Sequence, residues 1–318
     1  MTTLITGSSG FIGMNLCSKM TALGHDIHKV IRSGARLDSY DSIKEHCYLI
    51  DEIGAHTDWS GAFAGINCVV HCAARVRLID ENKTDALSAY RTVNVDGTRN
   101  LAEQAFNAGV KRFIFLSSIK VNGEQTISGG RFTSKDDNFP KDAYGISKWE
   151  AEHALHEISV RTGLEVVIIR PPLVYGSGVK GSFLSLLGWL NKGIPLPLGA
   201  IKNQRSLVGI HNLIDLIMTC IDHPAAANQT FLVSDGEDIS TSELLCRMSK
   251  ALGKTSRLVP VPVSLLQLGA NLLGKQDIAQ RLLGNLQVDI SHTKKVLGWT
   301  PPVSLDEGLR TTAKWYLS

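Results

Sequence analysis

The sequence predicts an α/β fold: a doubly wound parallel sheet covered by helices on both faces, followed by a smaller C-terminal α/β substrate lobe. Three observations carry this. Short β-branched runs alternate with helical stretches through the first half, a glycine-rich turn directly follows the first run, and the rhythm changes after Arg170-Pro171-Pro172. Strands are expected at residues 3–6, 26–32, 47–51, 68–72, 112–117 and 165–170, with amphipathic helices at 12–23, 86–108 and 146–162. Runs such as Phe113-Ile114-Phe115-Leu116 are apolar at every position, as strands buried on both faces must be.

Past residue 177, Gly and Pro surround a helix at 183–191, and a strand-like run follows at 229–233. Ser240-Thr241-Ser242-Glu243 reads as a capping box opening a helix that stops near Gly253. Ser304-Leu305-Asp306-Glu307 repeats the signal for the last helix. Residues 1–176 are therefore assigned to a dinucleotide-binding domain and 177–318 to a substrate-binding lobe, with 205–222 able to return to the main sheet.

Composition narrows the field. Of 318 residues, 20% are charged and 43% hydrophobic, which suits a globular chain with a large core. Lys plus Arg number 33 against 30 acids, a formal charge of +3, so no broad field exists to grip nucleic acid or an anionic membrane. Six thinly spread cysteines read as buried reduced thiols. Cys68 and Cys72 lack further ligands at zinc spacing, and no metal is expected. The greasy segment 258–274 is too short and interrupted to span a bilayer, and its 265–273 stripe reads as core in preference to a membrane-surface helix. No targeting signal is visible at the start, so a cytoplasmic protein is expected. His71, in an apolar run, reads as a satisfied core histidine.

Gly7-Ser8-Ser9-Gly10-Phe11-Ile12-Gly13 lies where the first strand turns into the first helix. Glycines there allow a tight turn, let backbone amides approach a pyrophosphate, and bring the helix N-terminus to face it, as in Rossmann-like sheets. Arg32 ends the second strand, followed by Ser33 and Arg36, where NAD sites usually place an acid. Arg32 suits a 2′-phosphate or could stack on the adenine. NADP(H) is the preferred cofactor and NAD(H) the alternative.

Tyr144-Gly145-Ile146-Ser147-Lys148 puts a phenol and an ammonium on one face of a helix start. Ser117-Ser118 closes the preceding strand at the carboxyl edge, where open α/β sheets bind ligands. Hydride transfer at a carbon bearing oxygen needs a proton moved at that oxygen. Tyr144 is the acid/base candidate, Lys148⁺ and oxidised nicotinamide would favour its phenolate, and Ser118 could align the substrate oxygen.

Thr6-Gly7-x-x-Gly10-Phe11-Ile12-Gly13, the Ala73-Ala74 turn, Asn94, Ser118 and Tyr144-x-x-x-Lys148 together resemble an extended short-chain dehydrogenase/reductase. More specifically, the chain resembles the nucleotide-sugar epimerase/dehydratase group, whose later motifs match Arg170-Pro171-Pro172-Leu173-Val174-Tyr175-Gly176 and Arg205-Ser206-Leu207-Val208. The resemblance implies cofactor contacts from Gly7, Gly10, Phe11, Ile12, Gly13, Arg32, Glu52, Ile53, Ala73, Ala74, Tyr144, Lys148 and Pro171. It makes Ser118, Tyr144 and Lys148 catalytic. It places Arg205 at the nucleotide end of a UDP-sugar substrate, with Arg75 (rather than Arg77), Ser118, Lys120 and Tyr144 near the sugar. Lys120 could bind a phosphate, assist protonation, or be a solvated loop lysine. A homodimer is expected, through helix 86–108 and the Trp149 helix, although these could equally pack on their own sheet.

Departures refine the reaction. Dehydratases carry Thr-Asp-Glu where this chain has Ser118-Ile119-Lys120, and Ile119 cannot move a proton, so 4,6-dehydration is disfavoured. Leu173 replaces the family's Asn. Ser117-Ser118-Ile119-Lys120-Val121-Asn122-Gly123 resembles a subgroup tied to surface-polysaccharide sugars. The favoured expectation is a 4-keto reductase making a UDP-6-deoxy-N-acetylhexosamine; the alternative is a UDP-glucose or UDP-N-acetylglucosamine 4-epimerase with bound NAD. A non-catalytic NADP-binding sensor would typically have lost the Tyr or Lys.

Overall fold

Strands apolar on both faces must be covered on both faces, and the chain solves this by stacking them in parallel with crossover helices. The computed structural model describes residues 1–33, 46–76, 86–136 and 138–318. Its strands are β1 Thr3–Thr6, β2 Ile27–Arg32, β3 Cys47–Ile50, β4 Cys68–His71, β5 Arg112–Leu116, β6 Glu165–Arg170, β7 Leu173–Tyr175, β8 Arg205–Gly209, β9 Gln229–Leu232 and β10 Asp238–Ile239. Seven of them form one sheet in the order β3-β2-β1-β4-β5-β6-β9, every neighbouring pair parallel. The strand order reverses between β1 and β4, which opens a crevice at their carboxyl ends.

The helices are α1 Phe11–Ala22, α2 Ala86–Arg91, α3 Gly97–Asn107, α4 Ala143–Thr162, α5 Ser182–Asn191, α6 Ile210–Asp222, α7 Thr241–Ala251, α8 Val263–Leu272, α9 Gln276–Leu283, α10 Ser291–Leu297 and α11 Leu305–Leu317. Successive strand residues feed opposite faces. Ile5, Val70 and Ile114 join Leu16 of α1 and Leu213 of α6 in one cluster. Leu4, Val69 and Phe113 join Leu101 of α3 and Leu155 of α4 in the other. This is the Rossmann-like sheet that the alternation predicts.

The C-terminal lobe has its own core, built by Leu187, Leu196, Leu245, Met248 and Leu309. In both predicted capping boxes the serine caps its helix: Ser240 Oγ accepts from Glu243 N at 3.0 Å and Ser304 Oγ from Glu307 N at 3.3 Å. Chain order and lobe do not coincide, however. β9, which sequence leaves in the C-terminal part, is the seventh strand of the large sheet, and α10 packs on it. Of residues 205–222, α6 covers the large sheet, whereas β8 pairs with β7 and β10 in a separate small sheet.

Four further readings change. The predicted helix 86–108 is interrupted by a π-turn at Thr92–Asp96. Helix α4 begins at Ala143, ahead of the expected 146, because Asp142 Oδ1 accepts from Gly145 N at 3.1 Å and caps it. The 265–273 stripe is not core: Leu265, Leu268, Leu272 and Leu273 are 57%, 56%, 80% and 75% exposed. Nor are all cysteines buried, since Cys246 is exposed on α7. Among the described residues, no helix is long and apolar enough to cross a membrane.

Candidate active site

The crevice is floored by glycines because nothing larger fits. Gly7 has φ +67°, and a Cβ there would lie 2.6 Å from Ala73 N; a Cβ on Gly13 would lie 2.2 Å from Gly7 O. The β1 turn thus touches the Ala73-Ala74 turn after β4. Gly10 caps α1 with no side-chain bond, and the first turn carries no acid. The amides opening α1 at Phe11, Ile12 and Gly13 therefore face no side-chain anion of their own helix. A dinucleotide pyrophosphate fits such a cradle. Phe11 packs against one core of the large sheet and against the core of the C-terminal lobe, joining the two.

Where the adenosine end is expected, Arg32 is exposed at the close of β2, paired in register with Ile50. Arg36 lies outside the described residues. Beyond β3 an open depression of about 560 Å³ is lined by Asp51, Glu52 and Thr57. Of the predicted pair, Glu52 faces this depression, whereas Ile53 packs inward: a Cβ on Gly97 of α3 would approach Ile53 Cγ2 to 2.5 Å.

The catalytic candidates converge from two elements. Ser118 follows β5, whose edge is prolonged by Ser117 N donating to Ile169 O at 2.8 Å and Ile119 N to the Pro171 carbonyl at 3.0 Å. Ser118 Oγ accepts from Lys120 N at 3.3 Å. The start of α4 lies against this turn, since a Cβ on Gly145 would sit 3.1 Å from Lys120 O. Half-buried Tyr144 meets Tyr90 edge-on at 5.9 Å. Lys148, one turn later, is fully buried with Nζ 3.8 Å from the centre of the Phe115 ring.

Electrostatics within the chain differ from the sequence expectation. Burial holds Lys148 down to about 7, opposed by the charge of Glu152. Burial pushes the Tyr144 phenol up, and Asp142, two residues before it, pushes it further. In the chain alone, burial thus disfavours the charged forms of both Tyr144 and Lys148.

This has a measurable consequence. Between about pH 7 and the ordinary lysine value of 10.5, the unfolded chain holds a proton that buried Lys148 has released. Stability should thus rise with pH from about 7. Above about pH 9 the slope reverses, because burial keeps Cys17, Cys68, Cys72 and Cys220 protonated past the ordinary value of 9.0. Thermal melts should show a gain from pH 7 to 9 that Lys148→Met lacks.

Several positioning residues carry only weak sequence signals. Asn94, in the π-turn, accepts from Arg75 N at 2.8 Å and donates to Arg75 O and Ser147 Oγ, each at 3.0 Å. Ser147 Oγ donates in turn to Tyr144 O at 2.8 Å. One side chain so ties the Ala-Ala-Arg turn to the tyrosine helix, and π-turns often mark such sites. Behind Ser118, buried Glu152 takes the Ser117 hydroxyl and pairs with Arg170 at 2.6 Å. Arg170 Nη1 reaches Asn122 Oδ1 at 3.1 Å. One Glu among several charged residues of a helix and an Arg before Pro gave no clue that they pair. His71 is a core histidine, with Thr6 Oγ1 at 2.6 Å and Thr98 Oγ1 at 3.0 Å, and burial pushes it down to about 3.

Among the substrate candidates, Arg75 is exposed beside the crevice, and Arg77 lies outside the described residues. Lys120 Nζ sits 3.1 Å from Asp142 and 3.8 Å from Glu124, so its charge is already shared. Arg205 donates to Gly284 O at 3.0 Å, and burial lowers its pKa. Among the described residues no carboxylate lies within 4 Å of it. A half-buried guanidinium so placed suits a phosphate. Ile119 is buried among Phe132 and Leu286 and offers no proton. The one described cluster of donors near enough to share an ion, Asp26, His28 and His46, lies at the opposite ends of β2 and β3.

The chain is similar along nearly its whole length to known proteins. It is 50% identical over 316 residues to a UDP-glucose 4-epimerase of Vibrio cholerae, covering 99% of this chain and 95% of that one. Its fold matches a UDP-glucuronic acid 4-epimerase from Bacillus cereus in complex with NAD, at TM-score 0.78 and 21% identity over 99% and 96% of the two chains. It also matches the UDP-glucose 4-epimerase of Thermus thermophilus in complex with NAD, at TM-score 0.77 and 22% identity over 100% and 99%. Residues 3–234 match the family described as NAD dependent epimerase/dehydratase, and these span β1 to the end of β9 and so take in the entire large sheet. With glycine cradle, Ser118, Tyr144 and Lys148 all standing at the carboxyl edge of that sheet, the chain belongs to the NAD dependent epimerase/dehydratase family.

Proposed function

We propose that this chain is a UDP-hexose 4-epimerase, acting on UDP-glucose or UDP-N-acetylglucosamine with NAD at the glycine cradle. The observation that carries this is the 50% identity over 316 residues to the Vibrio cholerae UDP-glucose 4-epimerase, which extends through the C-terminal lobe where the sugar would sit. It outweighs the reductase expectation, which rested mainly on Arg32.

Bound oxidised nicotinamide supplies the acceptor for the C4 hydrogen and a positive charge that favours phenolate at Tyr144. Tyr144 then takes the C4 hydroxyl proton while the sugar is oxidised to the ketone, and returns it when the ketone is reduced from the other face. Ser118 donates a hydrogen bond to the same oxygen. Lys148, one helical turn after Tyr144, would steady the phenolate and hold the nicotinamide ribose. Arg205 holds the UDP diphosphate. Until cofactor arrives Tyr144 stays protonated, as its raised pKa indicates.

A second reading keeps the 4-keto reductase, forming a UDP-6-deoxy-N-acetylhexosamine with NADP(H). Exposed Arg32, with no acid beside it in β2, is the observation in its favour. The test is incubation of purified chain with UDP-glucose or UDP-N-acetylglucosamine and no added cofactor. The C4 epimer should accumulate to equilibrium by NMR, and denatured protein should release a dinucleotide without a 2′-phosphate. No epimer, together with stoichiometric NADPH oxidation on a 4-keto-6-deoxy substrate, would establish the reductase instead.

A further inference from the structure

We infer that the α8–α9 hairpin is a docking element for an anionic membrane surface. Helix α8 has apolar residues on two faces, and only one is spoken for. Leu266 packs inward with Leu282 and Leu283 of α9 against the lobe core. Leu265, Leu268 and Leu272, at helical positions i, i+3 and i+7, form an outward stripe that is more than half exposed at every position. Leu273, 75% exposed, continues it around the hairpin tip, where Gly274 and Lys275 follow. Hydration of a continuous leucine stripe is unfavourable, so the surface suits an occupant that removes it from water.

Charge identifies that occupant. Residues 253–283 hold Lys254, Arg257, Lys275 and Arg281 against the single acid Asp277, a surplus of three (four minus one) that equals the formal charge of the entire chain. All four cations are exposed. Among the described residues none has a carboxylate within 4 Å, whereas Arg91, Arg161 and Arg247 elsewhere on the surface are ion-paired. An exposed leucine stripe on a hairpin whose tip carries Lys275 and whose second helix carries Arg281 matches a lipid interface, with apolar side chains at the acyl boundary and ammonium and guanidinium groups at lipid phosphates. A second copy of this chain would bring the same positive charge against itself.

The hairpin is bolted to the substrate side of the lobe. Asn203 Nδ2 donates to Leu282 O at 3.1 Å and Gly284 O at 2.8 Å, and Arg205 donates to the same Gly284 carbonyl. Docking would therefore hold the lobe's Arg205 side near the bilayer, whatever reaction Tyr144 performs.

Flotation of the full chain with vesicles decides this. Binding is expected to phosphatidylcholine vesicles containing one-third phosphatidylglycerol, weakly or not at all to phosphatidylcholine alone, and to fall as salt is raised. Lys275→Glu with Arg281→Glu should lower partitioning roughly fivefold or more per cation. Leu268→Ser with Leu272→Ser should lower it comparably while the circular dichroism spectrum and melt stay unchanged. Wild-type chain that ignores anionic vesicles, or either double variant binding like wild type, would overturn the inference. So would light scattering that shows a dimer which the leucine variant dissociates.

Discussion

Tyr144→Phe is expected to lower turnover by about 10²–10⁴-fold, because it removes the group proposed to move the substrate proton. Folding should be unaffected. The ring keeps its edge contact with Tyr90, and the hydrogen bond that locks this turn runs from Ser147 Oγ to the Tyr144 backbone carbonyl, which the substitution retains. Dinucleotide affinity should change little, since the glycine cradle and Lys148 remain. Steady-state kinetics beside a cofactor titration and a thermal melt separate these effects. Turnover that survives would remove Tyr144 from the chemistry, whereas lost turnover with intact cofactor binding supports its role as acid/base.

Arg170→Met is expected to be the most damaging single change to stability away from the cofactor. Arg170 and Glu152 are 10% and 5% exposed in their side chains and pair at 2.6 Å. Removing one partner leaves a buried charge uncompensated, at a cost of about 3–5 kcal/mol. Urea unfolding should show a clearly lower midpoint. Adding Glu152→Leu should recover part of the loss, because an apolar pair tolerates the site. Recovery stays incomplete, since the Ser117 hydroxyl and Asn122 Oδ1 lose their partners. An unchanged midpoint in Arg170→Met would show that water already solvates Glu152.

The pair also explains why part of the site is invisible in sequence. Glu152 stands in a helix as one charged residue among several, and Arg170 ends an apolar strand. Only the folded chain brings a position one turn past Lys148 behind the serine turn. Ser118 and Lys148 are then supported from the rear by groups with no local motif. Asn94 is an intermediate case: it belongs to a recognisable pattern, but its bonds to Arg75 and Ser147 depend on a π-turn that periodicity reads as unbroken helix.

What the sequence by itself determined are features with short-range causes. Runs apolar at every position can only be doubly covered strands, glycines at Gly7 and Gly13 answer a contact that any Cβ would violate, and Tyr144 and Lys148 share a helix face by spacing alone. Those constraints sufficed for the parallel sheet, the glycine cradle and the placing of Tyr144 and Lys148 on one helix face. Tertiary structure decided what depends on distant partners. A four-residue run such as Gln229–Leu232 carries no mark of which sheet edge it will join, and it joined the large one. A leucine stripe has the same period whether it faces a core or water, and here one face was left outside. The charge state of Tyr144 sums burial with the field of Asp142, and neither can be read from a tyrosine and a lysine four residues apart.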